Sequence, residues 1–235
     1  MKVPILLPNI FNHPFTYESD INLKLGDYVV VPFGKSKITG VVWDEFEKKN
    51  KKKFKIKKVL TKLNVSPLKK TTIKFLNWFA EYNIIPKGMA LKLVLLSSNA
   101  IENHQKEVYK IFDSGTEVNL TKLSEEQKKS LKKMNISNGK FRVHVLQGTT
   151  GSGKTMVYFS ALKNIINRGS QGLILLPEIG LTSQFEKKFK EFFGFIPAVW
   201  HSGISKKNKE VIWSGITNGK IRVVIGARSS LFLPF

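Results

Sequence analysis

The sequence contains no cysteine, which excludes a disulfide framework and any thiolate metal site. It also has no apolar run approaching the roughly 18–20 residues that a transmembrane helix needs. The opening stretch MKVPILLPNIF has a short apolar segment interrupted by Pro4 and Pro8, which fits a first β-strand better than a secretory signal. Together these absences predict a cytoplasmic protein with no membrane-embedded part.

Acidic residues are scarce relative to basic ones. The chain of 235 residues has 17 Asp and Glu against 39 Lys and Arg, a formal net charge of +22. Phosphate polyanions such as nucleic acids are natural partners of so basic a surface. All but four of the basic residues are lysines, however, and AT-biased codon usage produces the same pattern without selection for a ligand. The segment 48–58, with eight lysines, is accordingly either an edge that tracks phosphates or a solvated loop.

The first third of the chain has the pattern of short strands joined by turns. Two β-rich runs, at 28–32 and 38–46, flank a glycine-containing turn. A helix is predicted over 67–82, because apolar residues recur there at helical spacing behind a proline. Since 42% of all residues are apolar, the chain has enough of them for a core. We therefore predict a small α+β domain over 1–96, followed by a connector over 97–122.

From residue 123 onward, helical patterns alternate with β-rich runs. The first helix, 123–134, has Ser124 at its N-cap and Gln127 at the capping-box position. Strands that alternate with helices of about 10–15 residues predict a parallel sheet with right-handed crossovers, and hence an α/β fold. The predicted strands cover 141–146, 172–176, 198–201 and 221–226, and the helices between them cover 154–168, 181–193 and 206–216.

Residues 148–155 read GTTGSGKT, a complete GxxxxGK[ST] phosphate loop that follows a predicted strand and begins a predicted helix. Gly151 and Gly153 allow backbone N–H groups to surround phosphate oxygens, and the helix N-terminus adds partial positive charge. The Lys154 ammonium reaches the β- and γ-phosphates, and the Thr155 hydroxyl is a ligand for Mg²⁺. The loop predicts a bound nucleoside triphosphate with Mg²⁺, held by Gly148, Thr149, Thr150, Gly151, Ser152, Gly153, Lys154 and Thr155.

Several segments resemble a single family. After the phosphate loop come PEIGLTSQ at 177–184, HSG at 201–203 and GARSSLFLPF at 226–235. They are similar to motifs Ia, Ib and Ic of the PriA-type replication-restart DNA helicases. Pro14-Phe15 and GDYVVVPFGK at 26–35 resemble the 3′-end DNA-binding domain of the same family. The resemblance implies a small α+β DNA-binding domain followed by most of one RecA-like helicase lobe.

The resemblance also implies two sets of DNA contacts. The pocket for the 3′-terminal nucleotide would comprise Phe15, Gly34, Lys35 and Lys57, with Thr16 where the family has an acidic residue. Segments after the sheet strands would contact nucleic-acid phosphates through Thr182, Ser202, Gly203, Arg228 and Ser229. Gln127, 21 residues before Gly148, either reads the adenine edge, as in DEAD-like helicases, or caps its helix.

Some features of the family are missing from the sequence. Residues 97–122 are too few for the family's winged-helix domain, which is absent or vestigial here. The acidic motif II, the second lobe and the zinc insertion also do not occur, so 123–235 is expected to be a truncated lobe 1. The chain is therefore expected to be a fragment, an incomplete gene product or part of a split protein. Because hydrolysis needs an acidic Mg²⁺ ligand and a trans-lobe arginine, enzymatic activity of the chain alone stays open.

The functional prediction is the N-terminal part of an ATP-dependent 3′→5′ DNA helicase that recognises stalled forks and restarts replication. The alternatives are a non-hydrolysing module that binds forks and 3′ ends, and a generic P-loop NTPase. By resemblance, the partners would be forked and single-stranded DNA, single-strand-binding protein and primosome proteins, in DNA replication, repair and recombination. The chain is expected to be monomeric, and zinc is expected only in the missing C-terminal part.

Overall fold

The computed structural model describes residues 1–46, 56–95, 101, 123–134, 141–177 and 183–235. Most of the lysine-rich segment, the connector and Thr182 lie outside the described residues. Across the described ranges, no helix has both the length and the apolar character to cross a membrane.

Two compact units divide the chain. The first comprises Met1–Val108 with Ile204–Asn218 and Leu231–Phe235, and the second comprises Tyr109–Gly203 with Gly219–Ser230. These bounds follow spatial packing, whereas the three domain bounds drawn from the sequence remain predictions. The described residues form six α-helices: α1 Lys70–Tyr82, α2 Lys87–Val94, α3 Glu125–Lys133, α4 Lys154–Asn167, α5 Ser183–Phe193 and α6 Lys206–Thr217.

The first unit contains a five-stranded antiparallel sheet. Its strands are β1 Lys2–Leu6, β2 Phe15–Glu18, β3 Tyr28–Phe33, β4 Ser36–Val42 and β5 Thr61–Lys62. They lie in the order β2-β1-β4-β3-β5, and β3 and β4 confirm the two predicted β-rich runs. Phe33 pairs with Ser36, so Gly34 and Lys35 form a two-residue turn. Gly34 has φ +59°, which glycine adopts without steric cost at the first turn position.

The core of this unit forms where alternate residues of the strands face the same side of the sheet. Its buried members are Val3, Ile5, Leu7, Tyr17, Leu23, Val29, Val31 and Val42. Helix α1 buries Ile73, Leu76 and Ala80, as its spacing predicts. The sequence pattern missed α2, because Gly88 and a proline cap weaken the helical signal over only eight residues.

Helix α6 also packs within the first unit, through Trp213. This side chain is fully buried, and its indole N–H donates to the carbonyl oxygen of Val94 at 2.9 Å. Its ring meets Tyr28 edge-on, with 5.9 Å between centroids. Burial raises the pKa of the Tyr28 phenol. A tryptophan inside a helical pattern predicts burial, but the pattern does not reveal that its partners come from residues more than a hundred positions earlier.

The second unit contains a three-stranded parallel sheet. Its strands are β6 Gly172–Leu175, β7 Ala198–Trp200 and β8 Val223–Gly226, in the order β6-β8-β7. Central strand β8 is buried throughout. Helices α4 and α5 contribute Phe159, Leu162 and several phenylalanines to the core beside β8. The prediction of an α/β fold with a parallel sheet is therefore confirmed.

The predicted strand over 141–146 is wrong. In the structure this segment is assigned to no strand, and it pairs with none of the described strands. Its apolar residues Phe141, Val143 and Val145 are 93%, 74% and 89% exposed. The physical reason is that β-propensity mainly reflects packing against neighbouring strands, so an alternating pattern alone does not create a strand. The phosphate loop that follows is nevertheless formed.

Candidate nucleotide and nucleic-acid sites

The phosphate loop joins the extended segment to the N-terminus of α4. Gly151 and Gly153 have φ +84° and +77°, the left-handed region that favours glycine. Gly153 is the N-cap of α4, so the helix begins at Lys154. Within the loop, the Ser152 hydroxyl donates to the Thr149 carbonyl oxygen at 2.9 Å. This exposed loop leaves the first N–H groups of α4 without helical acceptors, which is the arrangement that binds phosphate.

The Lys154 side chain folds back over the loop. Its ammonium donates to the carbonyl oxygens of Gly148, at 2.5 Å, and Thr149, at 2.7 Å. The charge is thus already held above the loop where phosphates bind in such motifs. When a phosphate binds, its oxygens would replace these two carbonyl oxygens as acceptors of the Lys154 ammonium.

The Thr155 hydroxyl is held by a residue that the sequence analysis missed. The Tyr158 hydroxyl donates to Thr155 Oγ1 at 3.1 Å, from one turn further along α4. Tyr158 is half-buried and packs edge-on against Phe159, with 5.4 Å between centroids. Its position three residues after Thr155 is the only sequence signal, since residues three apart share a helix face.

Gln127 contacts the phosphate loop and also caps its own helix. Its Oε1 accepts from the Ser124 N–H at 3.0 Å, while its own N–H donates to Ser124 Oγ at 3.2 Å. Its Nε2 donates to the Ser152 carbonyl oxygen at 3.1 Å. The predicted capping box is therefore confirmed. These contacts use one N–H and one lone pair of the Gln127 amide, which has two of each, so one donor and one acceptor position remain for an adenine edge. The adenine-reading role stays a prediction.

The loop fits a nucleotide with its metal ion. A Cβ added at Gly151 would meet no atom within 4 Å, so there is open space above the backbone. The Thr155 hydroxyl at the start of α4 is the oxygen ligand that a phosphate-bound Mg²⁺ uses in such loops. Among the described residues, no group of three or more His, Asp and Glu side chains is placed to hold a metal ion.

The other predicted contacts in the second unit lie after strands β7 and β8. Because these strands are parallel, their carboxyl ends meet at one edge of the sheet, where open α/β sheets place ligands. After β7, the Gly203 N–H donates to His201 Nδ1 at 3.1 Å and Ser202 is exposed. After β8, Arg228 and Ser229 are exposed in the 3-10 helix Arg228–Phe232. To contact a DNA phosphate as predicted, the Gly203 N–H would have to give up its hydrogen bond to His201 Nδ1 and donate to a phosphate oxygen instead.

The predicted 3′-end pocket is an aromatic cluster beside a glycine turn. Phe15 is half-buried against the sheet core. Its ring centroid lies 5.2 Å from that of Phe11, 5.0 Å from His13 and 5.3 Å from Phe33. Of these rings, only Phe15 was predicted from the sequence as a site residue. Phe11 and His13 precede it in the same segment, whereas Phe33 comes from β3 and reaches the cluster only in the folded sheet.

Lysines border this cluster. Lys57 Nζ donates to the Gly34 carbonyl oxygen at 3.3 Å, and Lys35 is exposed in the same turn. The neighbouring Lys58 instead pairs with Asp20 at 3.0 Å. The hydrogen bond and charge of Lys58 lower the pKa of the Asp20 carboxyl, and Asp20 in turn raises the pKa of Lys58. Of the predicted residues, the structure thus brings together Phe15, Gly34, Lys35 and Lys57.

Two family models match the chain in the order that these sites suggest. The PriA 3′ DNA-binding domain matches residues 2–96. The DEAD/DEAH box helicase domain matches residues 124–235. The aromatic cluster lies in the first match, and the phosphate loop lies in the second. DNA-binding and helicase domains are therefore both present.

Curated relatives agree with this order. The replication restart protein PriA of Rickettsia conorii is 38% identical over 236 residues, covering 98% of this chain and 35% of the relative. That of Haemophilus influenzae is 25% identical over 310 residues, covering 100% of this chain and 42% of the relative. The chain thus spans about a third of the Rickettsia relative's length. On these matches, the chain belongs to the PriA family of replication restart proteins and corresponds to their N-terminal portion.

Proposed function

We propose that this chain is the DNA-recognising and ATP-binding part of an ATP-dependent 3′→5′ helicase that acts at stalled replication forks. The observation that carries the proposal is a complete phosphate loop, with Lys154 above its carbonyl oxygens, in a chain that also matches a 3′ DNA-binding domain. The first feature supports nucleotide binding, and the second supports recognition of a DNA end.

In the proposed nucleotide site, each loop residue has a defined task. Backbone N–H groups from Gly151 to Thr155 would surround the phosphates, and Lys154 would exchange its two carbonyl acceptors for phosphate oxygens. Thr155 would hold Mg²⁺, with Tyr158 fixing its hydroxyl. When bound, Mg²⁺ neutralises charge on the β- and γ-phosphates. Gln127 would keep the loop near α3 and contribute to the adenine site.

On the DNA side, the cluster around Phe15 with Lys57 would receive the 3′-terminal nucleotide. Ser202, Gly203, Arg228 and Ser229 would contact strand phosphates at the sheet edge. Thr182, which is outside the described residues, is proposed for the same track. Forked DNA, single-strand-binding protein and primosome proteins are the proposed partners in the cytoplasm.

The test separates nucleotide binding from DNA binding. Lys154→Ala is expected to weaken binding of a fluorescent ATP analogue at least tenfold while leaving affinity for forked DNA unchanged. Lys187→Ala, which removes an exposed lysine of α5, is the charge-matched control and should change neither. Equal loss of ATP and fork binding in a folded Lys154→Ala protein would refute the two-site proposal.

A second arm distinguishes a helicase part from a generic P-loop NTPase. Forks with a free 3′ end should bind more tightly than forks whose 3′ end carries a blocking phosphate. Absence of any DNA affinity would favour the generic NTPase. DNA binding without ATP binding in the wild-type chain would instead favour the non-hydrolysing module.

A further inference from the structure

We propose that Phe11 is the ring on which the terminal base of a DNA strand stacks, and that Phe15 supports it from behind. This inference rests on the proposed function and assigns the base contact to a different residue of the same site. It follows from how the rings of the cluster are packed and exposed.

The two rings differ in burial. Phe15 lies in β2 and packs against the buried core of the antiparallel sheet, as does Phe33. Phe11 is 39% exposed and lies in the loop between β1 and β2. Its ring is nearly perpendicular to that of Phe15, at 87°, and also contacts His13 and Phe33, at 5.8 and 6.2 Å between centroids. Both rings contact the other members of the cluster, but Phe11 is the more exposed of the two and is therefore the ring that a base approaching from solvent meets first.

The loop that carries Phe11 is fixed in place. The Gly88 N–H at the start of α2 donates to the Phe11 carbonyl oxygen at 3.1 Å. The Lys87 N–H donates to Asn12 Oδ1, also at 3.1 Å. Phe11's own N–H donates to Asn9 Oδ1 at 3.0 Å. The backbone that carries the ring is thus preorganised, so stacking of a base on Phe11 would cost little conformational entropy of this loop.

Gly88 allows this close approach. A Cβ at position 88 would lie 2.5 Å from the carbonyl oxygens of both Leu7 and Asn9, closer than real contacts permit. Only glycine therefore lets α2 approach the loop closely enough for its N–H to reach Phe11. The precise seating of an exposed phenylalanine is consistent with a contact surface rather than an incidental side chain.

The surroundings of Phe11 suit a strand end. Phe33 is followed directly by Gly34, whose carbonyl oxygen accepts from Lys57 Nζ at 3.3 Å. An ammonium thus lies beside the ring cluster, where it can neutralise the phosphate attached to a stacked nucleotide. An aromatic ring next to a basic side chain is the combination that single-stranded nucleic-acid sites use.

The experiment measures how the full chain binds a partial duplex with a free 3′ end and 2-aminopurine as its terminal base. Phe11→Leu keeps an apolar side chain but removes the ring, and should weaken binding by about 5- to 150-fold. Phe11→Tyr keeps the ring and should bind within about twofold of wild type. Ile10→Ala, at a neighbouring side chain that is 73% exposed, is the control and should have no effect.

The fluorescence of 2-aminopurine reports stacking directly. It should be quenched on binding to wild type and Phe11→Tyr, and less quenched at saturation with Phe11→Leu. If wild type prefers free over phosphate-blocked 3′ ends but Phe11→Leu matches it in affinity and quenching, the assignment to Phe11 is wrong while the proposed function stands. If wild type shows no such preference, the recognition of 3′ ends is wrong, and the role of Phe11 with it.

Discussion

The two sheets of this protein differ in how completely their strands are covered. In the antiparallel sheet, the interior strands β1, β3 and β4 are largely buried and are paired on both sides. In the parallel sheet, only β8 is buried throughout, and Leu175 of edge strand β6 is 45% exposed. Parallel sheets are normally covered on both faces, so the partial exposure of β6 is unusual for its type.

The difference follows from how each sheet is connected. Antiparallel neighbours such as β3 and β4 are joined by a two-residue turn, so their contacts form between residues close in sequence. Parallel neighbours need crossover helices, and their contacts depend on distant segments. The aromatic cluster around Phe15 therefore rests on a locally determined scaffold. The phosphate loop follows the exposed segment 141–146, which is paired with none of the described strands.

The largest expected effect is on the free energy of unfolding, when a side chain is truncated in each of the two sheets. Ile5→Ala removes a fully buried side chain of β1 and should lower the free energy of unfolding by about 2–5 kcal/mol. Leu175→Ala removes a half-exposed side chain of β6 and should cost less than about 1 kcal/mol. Urea unfolding of the full chain, with hydrogen exchange at the amides of β1 and β6, measures both. Equal losses would contradict the difference in coverage.

Gln127 and Ser124 provide a sharper test at the phosphate loop. Either Gln127→Ala or Ser124→Ala breaks the capping box and should destabilise α3 by about 0.5–2 kcal/mol. Only Gln127→Ala also removes the hydrogen bond to Ser152. We therefore expect Gln127→Ala to weaken ATP binding several-fold and Ser124→Ala to leave it within about twofold of wild type. Similar ATP affinities for the two variants would limit Gln127 to capping.

Much of the fold and part of the site were predictable from the sequence. Strong local signals gave the β3–β4 hairpin, helix α4 after the phosphate loop and the capping box at Ser124, because each depends on neighbouring residues. The segment 141–146 was mispredicted because its alternation specifies a strand only when another strand pairs with it. The roles of the Phe11 ring and of Tyr158 were missed for a related reason, since both depend on contacts that appear only once the chain is folded.

A smaller effect is expected at Tyr158, where the contribution to Mg²⁺ binding can be separated from a general loss of phosphate-loop structure. Tyr158→Phe removes only the hydroxyl that donates to Thr155, a hydrogen bond worth about 0.5–1.5 kcal/mol. The affinity for ATP with Mg²⁺ should fall by about two- to tenfold, whereas affinity in excess EDTA should not change. Titration calorimetry with and without Mg²⁺ measures this difference. A loss of the same size under both conditions would mean that Tyr158 supports the loop rather than the metal ligand.

The smallest expected effect concerns the exposed ion pair of Asp20 and Lys58 in the antiparallel unit. The pKa of Asp20 in the folded chain is lowered by Lys58, so the pair stabilises the fold above the ordinary aspartate pKa. That contribution is lost as the pH falls through the lowered pKa, because the carboxylate then binds a proton. Asp20→Asn should therefore be slightly less stable than wild type at pH 7 and low salt, and the difference should disappear in acid.

Since both side chains are exposed, added salt should also reduce this difference in stability. Urea unfolding of Asp20→Asn, Lys58→Gln and the double variant at each pH isolates the pair, and a difference that persisted in strong acid would mean that Asp20 acts through another contact.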